Sequence, residues 1–65
     1  MATYRLVDIH RVQIGPSIEG EDPSVTFGAA TKILETFPAG RLEIEEFDEL
    51  TGEWLATGRS FGRFV

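Results

Sequence analysis

Apolar and polar residues alternate at the start of the chain, but the phase slips. Over residues 3–14, Tyr4 and Leu6 share one face, Val7 and Ile9 the other, and Val12 and Ile14 return to the first. Val7, Ile9, Val12 and Ile14 are β-branched, a type enriched in strands. The stretch predicts a strand. The slip predicts a bulge near residues 8–11 or a strand covered on both faces.

Residues 15–22 carry Gly15, Pro16 and Gly20 and predict a loop. A helix is expected next, with Asp22 as its cap and Pro23 at its first position. Phe27, Ala30, Ile33, Leu34 and Phe37 recur at helical spacing and form one apolar face. Pro38 disfavours helix at Phe37, and Gly40 frees the chain to turn. Residues 41–49 and 53–61 then predict two strands. Gly52 supplies a positive φ at the hairpin between them, and Asp48 braces the turn. The expected order is strand, helix, strand, strand. This is a small two-layer α+β domain, a three-stranded antiparallel-rich sheet with one helix. Its expected core is Leu6, Val12, Phe27, Ala30, Ile33, Leu34, Phe37, Leu42, Ile44 and Trp54.

With 65 residues, the chain has room for a single domain, residues 1–65. The 42% hydrophobic content is enough for a small core and argues against disorder. The cysteine count is zero, so disulfides cannot supplement that core. Neither a run of about 20 apolar residues nor an apolar leader is present, so no membrane partner is expected.

Charge changes the picture more. Eleven acids face six bases, a net −5. Such a balance disfavours direct nucleic-acid binding and favours a basic protein partner. The acids are also grouped. From Leu42 to Gly58 there is no Lys or Arg, while Glu43, Glu45, Glu46, Asp48, Glu49 and Glu53 all fall there. Strand residues two apart lie about 6.6–6.8 Å apart on one face. A hairpin bearing these six presents spaced negative charge, as a nucleic-acid backbone does. A plain solvated sheet face would explain the acids too, but such faces usually mix both signs. Glu19, Glu21 and Asp22 form a second acidic group suited to the positive end of the helix.

Catalytic signatures are weak. His10 stands alone, with Asp8 two residues away as its one nearby carboxylate, and is expected to be structural. Ser17, Ser24 and Ser60 lie in no nucleophile motif. The acids lack the spacing of a calcium loop, and the glycines match no nucleotide fingerprint. The run from Arg59 to Phe64 resembles the aromatic RNA-binding strand of the RRM family, but lacks its first glycine and has Arg63 in place of an aromatic residue. Core aromatics flanked by solvated arginines account for it better. No enzyme activity and no cofactor are expected.

Size, acidity and the absence of a catalytic motif together resemble the small phage-encoded anti-CRISPR inhibitors. The resemblance is one of type and spans the whole chain. It implies a monomeric inhibitor in the cytoplasm of a bacterial host. Its partner would be a CRISPR surveillance complex whose Lys/Arg channel it fills as a DNA mimic. The residues expected to make the contact are Glu43, Glu45, Glu46, Asp48, Glu49 and Glu53. The alternative is a small structural or adaptor subunit that docks through apolar residues such as Trp54, Phe61 and Phe64.

Overall fold

A computed structural model describes residues 1–36 and 40–62. Its strands are β1 (Ala2–Val7), β2 (Ile18–Gly20), β3 (Arg41–Asp48) and β4 (Glu53–Gly62). A 3-10 turn (Pro23–Thr26) and helix α1 (Phe27–Thr36) lie between β2 and β3. The strands form one antiparallel sheet in the order β2-β1-β3-β4. The domain is α+β as expected, with four strands rather than three.

The phase slip is a turn and not a bulge. Asp8 accepts hydrogen bonds at Oδ1 from the backbone N–H of His10 (2.8 Å) and of Val12 (3.0 Å). Its own N–H donates to the Val12 carbonyl, and its carbonyl accepts from the Arg11 N–H, both at 3.0 Å. These bonds end β1 at Val7 and hold Arg11 at φ 62°, a left-handed conformation uncommon for a residue with a side chain. The chain then doubles back, and Ile14 N–H donates to the Leu6 carbonyl at 2.8 Å. β2 lies inside the expected loop. It pairs Ala2 with Gly20 and Tyr4 with Ile18, and three residues are too few to show a period.

Asp22 caps the helical segment as expected. Its side chain accepts from Ser24 N–H at 2.8 Å, with Pro23 next in the chain. The segment opens as a 3-10 turn and becomes α-helical at Phe27. The expected stop at Phe37 and Pro38 lies outside the described residues.

Alternation fixes which side chains meet the helix. Tyr4 and Leu6 from β1, Leu42 and Ile44 from β3, and Ala30 from α1 form the buried cluster. Ile14, Ile33, Leu34 and Phe61 pack against it. Three expected core members sit elsewhere. Val12 belongs to the turn and is 57% exposed. Phe27 is 40% exposed, meeting Phe61 edge-on at 4.9 Å. Trp54 pairs with Phe47 on the opposite face of the sheet.

The β3–β4 hairpin closes as predicted. Gly52 has φ 72° and donates its N–H to the Asp48 carbonyl at 2.8 Å. The Asp48 carboxylate accepts from Leu50 N–H and the Thr51 hydroxyl, both at 3.0 Å. Further along, the register shifts. Glu43 faces Ser60 and Glu45 faces Ala56, so Thr57, Gly58 and Arg59 bulge opposite Ile44. Gly58 has φ 82°, and the Thr57 hydroxyl donates to the Ile44 carbonyl at 2.9 Å. The bulge adds an even number of residues, so Trp54, Ala56 and Ser60 stay on one face and Leu55 and Phe61 on the other. It also kinks an exposed edge strand, which discourages pairing with other chains.

Ile44 is fully buried, so Ile44→Ala should lower unfolding free energy by about 2–5 kcal/mol in urea titration. Gly52→Ala meets no atoms, so backbone strain is its sole cost there. It should destabilise by about 1–2 kcal/mol, and an unchanged midpoint would show that the turn relaxes freely.

Candidate functional site

The sheet face opposite the helix carries a charge cluster. Alternation places Arg5 of β1 and Glu45 of β3 on this face, and the strands pair these two residues directly. Arg5 donates through Nε to Glu45 Oε1 at 2.8 Å, and its Nη2 lies 2.7 Å from the same oxygen. Arg11 reaches over from the turn. It donates to Oε2 through Nε (3.1 Å) and Nη2 (2.7 Å). The Glu45 side chain is only 3% exposed, and the two guanidiniums engage both of its oxygens. Burying a carboxylate is costly unless it is paired and hydrogen-bonded, and here it is both. Trp54 completes the cluster. Its ring lies 4.5 Å from the Arg5 guanidinium carbon, a cation–π contact, and meets Phe47 edge-on at 5.1 Å.

The six acids expected on the hairpin therefore do not form one row. Glu45 is a correction to that set: it is buried and neutralised, and no partner can reach its oxygens without breaking the clamp. Glu43 is exposed on the same face, 3.9 Å from Arg41. Asp48 is half-buried and engaged by its own turn. Glu49 and Glu53 are exposed near the hairpin end. Glu46 is exposed and belongs to the helix-side alternation of β3, opposite Tyr4 of β1.

Glu46 faces the buried Tyr4 across the β1–β3 pair. Burial raises the pKa of the Tyr4 hydroxyl, and the negative charges of Glu46, Asp22 and Glu21 raise it further. Pro23, next to Asp22, also lines a shared groove with Glu46, Asp48 and Glu49. The start of the helical segment thus borders the acidic end of the hairpin. Glu19 pairs with Thr3 and is exposed.

The remaining candidates have local partners. His10 is exposed, and its N–H helps form the Asp8 turn. Ser17 accepts from the Gln13 side chain at 3.3 Å, and Ser60 from Arg41 at 3.4 Å. Phe61 packs on the core, and Phe64 lies outside the described residues. Among the described residues, no group of three or more His, Asp or Glu is placed to hold a metal ion. No helix there is long and apolar enough to cross a membrane.

No family model, curated protein or solved structure matches the chain.

Sequence signals for the clamp were partial. Arg5 and Glu45 fall on strands whose pairing was not legible, and Arg11 gains its reach from a turn read as strand. Glu45→Gln leaves two arginines around an uncharged amide and should destabilise by about 3 kcal/mol. Arg11→Gln should cost about 1 kcal/mol or less, because its side chain is 64% exposed and solvent screens the pair. Equal costs for the two would argue against a buried clamp centred on Glu45.

Acid sensitivity has a separate source. The Val12 N–H, followed by the His10 N–H and charge, holds the Asp8 carboxyl below its ordinary range against an opposing effect of burial. Asp22 is lowered by the hydrogen bonds from Ser24, with a smaller contribution from the Arg59 charge. A carboxyl lowered in the folded state stabilises above its unfolded pKa, and that contribution is lost as pH falls through the folded value. Thermal melts should therefore show stability declining below about pH 4. Asp8→Asn with Asp22→Asn should flatten that decline; an unchanged acid slope would assign it to other groups.

Proposed function

We propose that the chain is a non-enzymatic inhibitor of the anti-CRISPR type. Its acidic hairpin end occupies a Lys/Arg-lined nucleic-acid site on a bacterial CRISPR surveillance complex. The observation that carries this reading is the exposure of Glu43, Glu46, Glu49 and Glu53 on a hairpin that has no Lys or Arg from Leu42 to Gly58. Pro23, next to the exposed Asp22, lines a groove with Glu46, Asp48 and Glu49, so the helix start borders the hairpin end. The clamp sharpens the contrast. It binds two arginines to one glutamate, so the rest of the chain is more acidic than the total of −5.

The contact residues in this reading are Glu46, Asp48, Glu49 and Glu53 at the hairpin end, with Glu43 flanking them on the opposite sheet face and Glu45 withdrawn into the clamp. Each carboxylate takes the place of a phosphate at a basic side chain. Such contacts are charge-assisted, steer association and weaken with salt. Docking as an adaptor through aromatics has less in its favour, because Phe61 packs on the core and Trp54 against Phe47 and Arg5.

The test is DNA competition on the bacterial complex that the tagged chain captures. The full chain should displace labelled DNA, with a potency that falls steeply as salt rises. Rim contacts contribute about 0–1 kcal/mol each, so the informative variant changes Glu43, Glu46, Glu49 and Glu53 to Gln together. It should keep its fold and lose competition. Undiminished competition by that variant would defeat the mimicry reading and favour apolar docking.

A further inference from the structure

The clamp has more donors than Glu45 can use. Arg5 engages Glu45 through Nε and Nη2. Arg11 uses the same pair of nitrogens, and its Nη2 also approaches the Trp54 carbonyl at 3.5 Å. The Nη1 of neither arginine donates to a described residue. Among the described residues no buried side-chain nitrogen or oxygen lacks a partner, so the Nη1 of Arg5 is not wholly buried. Arg11 is itself mostly exposed. Both arginines line one open cleft of about 560 Å³, together with Glu53, Trp54, Leu55 and Ala56. That volume lies within the span of ordinary small-ligand pockets, about 300–1,000 Å³.

The cleft therefore joins two guanidiniums bound to Glu45 to an apolar wall. Glu45 fixes both side chains and leaves them one positive charge in excess. Trp54 and the exposed Ala56, on the same sheet face as the clamp, supply apolar surface beside that charge. Glu53 at the rim limits how much negative charge can enter, which favours a monoanion over a doubly charged phosphate.

We propose that this cleft binds a carboxylate carried on a flat, apolar body. The carboxylate accepts charge-assisted hydrogen bonds from the Nη1 donors, and the apolar body packs along Trp54 and Ala56. This site does not rest on the inhibitor reading, although Glu53 borders both surfaces. The carboxylate can come from a free organic acid or from the C-terminus of a peptide, since both offer the same chemistry.

Trp54 is the single tryptophan of the chain, so its fluorescence and its indole N–H resonance report on this cleft alone. The full chain is titrated with 3-phenylpropionate, with its uncharged amide, with inorganic phosphate, and with acetyl-Ala-Phe bearing a free or an amidated C-terminus. Saturable shifts with the acid, at least tenfold weaker with its amide, are expected. Arg11→Gln should weaken acid binding by a similar factor. Tighter binding of the free-ended peptide than of phenylpropionate would identify a chain terminus as the source; the reverse order would identify a free acid. Either order supports the site. Equal responses to acid and amide, equal responses to acid and phosphate, or no saturable response at millimolar concentration would overturn it. The acid and amide comparison uses the unaltered protein, so the test stands even if Arg11→Gln fails to fold.

Discussion

One buried carboxylate organises the face of the sheet that the helix leaves uncovered. Glu45 sits on a central strand, where desolvation would normally exclude a charge. It is tolerated because Arg5 across the strand pair and Arg11 from the turn neutralise both oxygens. The dependence runs both ways. Arg11 reaches Glu45 because the Asp8 turn holds it in a left-handed conformation. The turn in turn gains a tether to the sheet 34 residues away. Without disulfides, such a tether adds long-range support to a small core.

The clamp also sorts the charges by role. Glu45 is structural, and Asp48 and Asp22 are engaged by the turn and the helix start they define. Glu43, Glu46, Glu49 and Glu53 remain exposed. The acidic surface and the arginine cleft are thus products of one arrangement. Drawing two arginines to one face leaves acids to dominate the hairpin end, and leaves unused guanidinium donors where the arginines gather.

Local signals in the chain were legible where they act over a few residues. Asp22 with Pro23 marked the helix start, and Asp48 with Gly52 marked the hairpin. The register of β1 against β3 was not legible, because pairing Arg5 with Glu45 joins residues 40 apart in sequence. A glutamate on an acidic strand gives no local sign that it alone will be buried. The Asp8 turn was misread for a related reason: β-branched Ile9 and Val12 suggest strand, yet both are exposed, and the Asp8 side chain overrides their preference by bonding two backbone N–H groups. β2 escaped notice because its identity comes from pairing with β1 and not from its own three residues.

A double-mutant cycle tests the clamp most directly. Unfolding free energies are measured for the parent chain, Arg5→Gln, Glu45→Gln and the pair. If Glu45 is a buried ion held by Arg5, the two substitutions should be non-additive by about 1 kcal/mol or more. Additive effects, with coupling near zero, would mean that Glu45 is not held by Arg5 and that the face is organised by something else.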